Sequence, residues 1–80
     1  MENIFNMKVY FLNSQNKYRE IGQFNNKTEL FNIIESFLTL HDFKSYYTRI
    51  WYEPNENRTY YDVGSHTEFF FTDCNTMRLE

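Results

Sequence analysis

The sequence predicts an α+β domain in the order ββαββ, with one helix packed on a mostly antiparallel sheet of four or five strands. Three observations carry that expectation. Aromatic and β-branched residues fill Tyr46–Tyr52 and Arg58–Val63 on either side of Glu53-Pro54-Asn55-Glu56-Asn57, which is strand chemistry flanking turn chemistry. Leu30, Ile33, Ile34, Phe37, Leu38 and His41 recur at helical spacing, a stripe that must be buried. Met7–Leu12 alternates with the period of a strand.

The first strand begins near Ile4, and its odd positions Phe5, Met7, Val9 and Phe11 form the row that should face the core. Asn13–Lys17 is turn-forming, and Tyr18–Phe24 reads as the second strand. Within it Gly22 marks a bulge or a close contact, because glycine otherwise weakens a strand interior. Asn26 can cap the helix, with Glu29 three residues on, so that side-chain oxygens satisfy orphaned N–H groups at the positive end. A break through Lys44-Ser45 leads into the hairpin.

Parity makes that hairpin two-sided. Ile50, Tyr52, Tyr61 and Val63 fall on the core row, leaving Tyr47, Arg49, Trp51, Tyr60 and Asp62 opposite. One helix covers one face of a sheet, so the second face should stay open. Gly64 permits a bend, and Glu68–Thr72 can add a short last strand with Phe69 and Phe71 inward and Phe70 outward. Asp73–Glu80 reads as a polar tail of a single domain spanning residues 1–80.

A chain of 80 residues buries only about 60% of its unfolded surface, so its core must be dense in large side chains. Nine Phe, seven Tyr and one Trp meet that need. A lone cysteine, Cys74, excludes an internal disulfide framework, and the opening residues resemble no export signal, so a reduced, cytoplasmic location is expected. Alanine is absent while asparagine occurs ten times, a bias towards AT-rich codons that fits a low-GC bacterium or one of its viruses.

The net charge of −3 is uneven: residues 53–80 hold six acidic and two basic side chains. Phosphate-backbone binding needs clustered Lys/Arg, so the acidic balance argues against direct nucleic-acid binding. His41, His66 and Cys74 lack the short spacings of metal sites, and no glycine-rich phosphate loop is present. No catalytic residue, metal or cofactor is expected.

The open aromatic face does point somewhere. Tyr47, Trp51, Tyr60 and Phe70, if each were half exposed, would present roughly 300–500 Å², which reaches the largest patch of an ordinary monomer. Trp, Tyr and Arg are also the types enriched at interaction hot spots. The expected contacts are Tyr47, Arg49, Trp51, Tyr60, Asp62, His66 and Glu68. Acidic groups beside aromatics suit a basic protein surface, and a homodimer is the competing occupant. A small-ligand or nucleotide-sequestering dimer and a nucleic-acid-binding accessory protein are the alternative readings.

The stretch Tyr61-Asp62-Val63-Gly64-Ser65-His66-Thr67-Glu68-Phe69-Phe70 resembles small uncharacterised phage proteins of low-GC Gram-positive bacteria. In size and composition the chain is also similar to anti-CRISPR and other phage anti-defence proteins. That resemblance implies a non-enzymatic cytoplasmic inhibitor. Its partner would be a bacterial host protein, a defence nuclease or other nucleic-acid-handling enzyme, and no membrane would be involved.

Overall fold

The structure, a computed structural model, describes residues 6–41, 47, 49–64 and 67–79. Strand β1 (Met7–Leu12) pairs with β2 (Tyr18–Phe24), and helix α1 (Lys27–Leu40) follows. Strand β3 (Arg49–Glu53) pairs with β4 (Arg58–Asp62), and β5 (Phe69–Thr72) enters between the two hairpins. The sheet order is β2-β1-β5-β4-β3, and every neighbouring pair is antiparallel. The α+β expectation holds, with one change of weight: the short extra strand is the centre of the sheet. Ile4 and Phe5, where β1 was expected to begin, lie outside the described residues.

Local chemistry sets the turns. Asn13 Oδ1 accepts the N–H groups of Gln15 and Lys17 at 2.9 and 3.0 Å, and Asn16 takes φ 63°. Asn57 takes φ 54° at the end of the β3–β4 turn, a left-handed conformation that asparagine tolerates better than most residues. Asn26 Oδ1 accepts the Glu29 N–H at 2.9 Å, while Glu29 Oε1 accepts the Asn25 N–H at 2.7 Å, one residue upstream of the expected capping box.

Gly22 fulfils both readings offered for it. The β1–β2 register passes from Val9↔Gly22 to Tyr10↔Glu20, so Ile21 is the extra residue of a bulge. A Cβ on Gly22 would lie 2.9 Å from Ile33 Cδ1, so its absence lets α1 approach β2.

The core lies between α1 and one face of the sheet. Val9, Phe24, Leu30, Ile34, Leu38, Tyr61 and Phe70 are buried there, and Phe37 packs on Phe11 and Phe70 with centroids 4.7 and 5.5 Å away. His41 keeps its place on the stripe but is exposed, its ring 4.2 Å from that of Phe37 and its N–H closing the helix on Phe37 O.

Three expectations need correction. Phe70 points into the core and Phe71 to the opposite face, the reverse of the expected parity. A run of three phenylalanines has no polar member to show which face is which, and a one-residue shift inverts the whole strand. Residues Asp73–Leu79 are no loose tail: Thr76 is fully buried at the start of a 3₁₀ turn (Thr76–Arg78), and its N–H donates to Thr59 Oγ1 at 2.9 Å. Thr59 Oγ1 in turn donates to Cys74 O at 2.8 Å, and the Tyr61 hydroxyl bonds to that of Thr76. This segment is bonded to β4 through Thr59 and Tyr61 and touches β3. Finally, Ile50 and Tyr52 share the face of Tyr61 and Thr59 but do not close the core. Ile50 is 37% exposed and the Tyr52 hydroxyl donates to Asn57 Oδ1 at 2.6 Å, because β3 is an outer strand at the end of the sheet away from β2, where α1 packs. Among the described residues no helix is long and apolar enough to cross a membrane.

Candidate interaction face

Alternation along four strands places Tyr10, Phe71, Tyr60 and Trp51 on the face away from α1, and antiparallel register sets them side by side. Tyr10 is opposite Phe71, Phe71 opposite Tyr60, and Tyr60 opposite Trp51. They form one aromatic row across the sheet, with successive ring centroids 5.0, 5.6 and 5.2 Å apart. These separations fall in the favourable range for aromatic pairs. Tyr18 closes the β2 end edge-on to Tyr10 and Phe71, and Phe69 sets its edge against Trp51 at 6.1 Å.

The centre of the row is sealed. Arg58 Cζ lies 4.2 Å from the Phe71 centroid and 5.2 Å from that of Tyr18, and Phe71 is only 1% exposed. The same guanidinium donates to the Tyr60 hydroxyl at 3.4 Å, which donates to Glu56 Oε1 at 2.6 Å. That hydrogen bond to the Tyr60 hydroxyl raises the Arg58 pKa. Burial, then the bond to Glu56, holds the Tyr60 phenol above its ordinary value.

The β3 end stays accessible. Arg49 lies over Trp51 at 5.0 Å and pairs with Asp62, its cross-strand partner, at 3.5 Å. The Arg49 side chain is mostly exposed, so the ion pair is worth at most about 1 kcal/mol. Asp62 is held more firmly by accepting the Gly64 N–H at 2.9 Å.

Four of the seven expected contacts therefore converge: Arg49, Trp51, Tyr60 and Asp62. Glu68 is half-buried just before β5, and His66 lies outside the described residues. Tyr47 is on the wrong face for the role. Its ring packs edge-on to Phe31 of α1 at 5.2 Å and joins the rim of the core. Its hydroxyl is buried with no hydrogen-bond partner among the described residues, and burial pushes its pKa up to about 12. Parity misled here because Tyr47 precedes β3, and alternation is enforced only within a paired strand.

The patch is also less exposed than a half-open estimate implied, since Trp51 and Tyr60 are both partly buried and Phe70 is inside. Sequence reasoning missed Tyr10, Tyr18, Arg58, Phe69 and Phe71. Tyr10 was within reach, because the odd row of β1 faces the core and Tyr10 is even. The others required knowing that β5 lies between β1 and β4. Among the described residues no group of His, Cys, Asp and Glu could hold a metal ion.

Comparison with protein-family models, curated proteins and solved structures finds no match to this chain.

Proposed function

We propose that this chain is a non-enzymatic inhibitor, encoded by a phage of a low-GC Gram-positive host, that binds a bacterial defence protein in the cytoplasm and blocks it. The target class is a nuclease or other nucleic-acid-handling enzyme. One observation carries the reading: the aromatic row ends in an accessible corner, Trp51 and Tyr60 stacked with the exposed Arg49 beside them and the buried Asp62 holding Arg49 in place. Trp, Tyr and Arg combine broad apolar contact with polar handles, the composition of interface hot spots. A chain of net charge −3 is drawn to basic surfaces, and grooves that bind nucleic acid are basic.

The test is capture from host lysate by wild-type protein, Trp51→Ala/Tyr60→Ala, and a control changed on the helix, Leu40→Ala. Leu40 is 81% exposed and remote from the row. The reading expects a stoichiometric partner held by wild type and control but lost by the double variant, and inhibition of that partner's nuclease activity by the wild type. Equal capture by all three proteins, or none by any, counts against it.

A further inference from the structure

The two outer strands of the sheet are defended very differently. On β2 the ladder is broken by the bulge at Ile21, charged Arg19 and Glu20 occupy the strand, and α1 packs against it. Bulges, charges and helical cover are the usual means by which an edge is kept from pairing with another chain. The opposite outer strand, β3, has no bulge and is not packed against α1; its charges, Arg49 and Glu53, stand only at its two ends, and the Thr76–Arg78 turn touches it. Its five residues pair with β4 in unbroken register, and Arg49-Ile50-Trp51-Tyr52-Glu53 contains no glycine, proline or lysine. Among the described residues it ends the sheet.

The sequence of β3 is also complementary to itself. Laid antiparallel on a second β3 about a two-fold axis through Trp51, it sets Arg49 opposite Glu53, Ile50 opposite Tyr52 and Trp51 opposite Trp51. Directly opposed residues share a face, so Arg49, Trp51 and Glu53 of both copies lie on the open side. Within one chain Asp62 faces Arg49 and Glu53 faces Arg58 across β3 and β4. The join therefore extends each flanking row as Asp62, Arg49, Glu53, Arg58, alternating in sign across both copies. Between those rows the aromatic row runs on from Tyr60 and Trp51 into its counterpart. Sliding the register by two residues in either direction leaves Trp51 opposite a charge and both ion pairs unmatched.

We propose that two copies of this chain associate through β3, antiparallel and two-fold symmetric about Trp51, to form a ten-stranded sheet with both helices on one side and a continuous aromatic face on the other. The occupant of this edge is a second copy, because the charges, the aromatic row and the exposed Ile50 are all matched by the same five residues. Such a contact is isologous and closes after one partner, so it yields a dimer and no filament. It uses the edge of the sheet, and it holds or fails independently of any target bound on the face.

The experiment is sedimentation equilibrium on wild type, Arg49→Glu, Glu53→Arg, and an equimolar mixture of the two variants, with circular dichroism to confirm that each is folded. Five-residue strands make a small interface, so association in the range of roughly 1 µM to 1 mM is expected. Wild type should pass from the 10.0 kDa monomer towards twice that mass with concentration. Each variant alone opposes like charges and should need about tenfold more protein to associate, whereas the mixture restores both ion pairs and should return to the wild-type midpoint. A wild type that stays monomeric overturns the proposal whatever the variants do. So does a dimer equally stable in both variants, or a mixture no tighter than its components.

Discussion

Trp51 and Tyr60 stand directly opposite one another across β3 and β4, their ring planes 19° from parallel and their centroids 5.2 Å apart. A stacked cross-strand pair of this kind contributes about 0.5–1.5 kcal/mol beyond the area it buries. A double-mutant cycle with Trp51→Ala and Tyr60→Ala, read by urea unfolding, should return a coupling energy in that range. Trp51 is also the only tryptophan, so its emission reports directly on anything that covers the corner. A partner bound there should shift it to the blue.

Arg58 seals the middle of the aromatic row rather than decorating it. Arg58→Ala should cost about 1 kcal/mol through the lost cation–π contacts and raise binding of an apolar dye, because Phe71 loses its cover. Thermal unfolding and dye fluorescence measure the two effects separately.

At Thr59 one hydroxyl serves two buried backbone groups, accepting from the Thr76 N–H and donating to Cys74 O. Thr59→Val keeps the shape and orphans the Thr76 N–H, while Cys74 O keeps only the bond from Thr72 Oγ1. The expected loss is about 1–3 kcal/mol of unfolding free energy, with the 73–79 segment becoming the first part of the chain to exchange its amide protons.

Gly22→Ala should destabilise by about 1–3 kcal/mol, since the added methyl meets three carbons of Ile33 between 2.9 and 3.3 Å. Combining it with Ile33→Ala should cost less than the sum of the two single changes, because the smaller side chain gives the methyl room. Chemical denaturation of all four proteins checks this.

Tyr47 gives a pH prediction whose sign is fixed. Its phenol is raised to about 12 from the ordinary value of 10, so the folded state binds the proton more tightly than the unfolded chain does. Stability is therefore fully present below pH 10 and falls as pH rises towards 12. Tyr47→Phe should flatten that fall, and at neutral pH should cost little, because the hydroxyl it removes has no partner among the described residues. Unfolding curves between pH 8 and 12 would show it.

What the sequence revealed follows from where periodicity is enforced. The stripe of α1, the Asn26 cap, the odd row of β1 and the alternation of Arg49, Trp51, Tyr60 and Asp62 were all legible, because each repeats a pattern over several residues in a paired or hydrogen-bonded element. The face of Phe69–Phe71 was not, since a homogeneous run carries no phase. Nor was the role of Asp73–Leu79: its polar composition resembles a tail, yet Thr76 and Cys74 meet Thr59, Thr72 and Tyr61 through hydrogen bonds that depend on position alone. The aromatic row spans four strands from both hairpins, so it existed only once their order was known.

That order has a kinetic meaning. Strand β5 is the last of the five to be synthesised, yet it is the seam between the two hairpins, and the bond from the Lys8 N–H to Asp73 Oδ1 beside it closes a separation of 65 positions. Each hairpin can form on its own within microseconds, but until β5 arrives both β1 and β4 present a bare edge to whatever else is nearby. Assembly of this sheet is therefore limited by a late, long-range closure. The nascent chain is at its most adhesive in the interval just before its final strand is made.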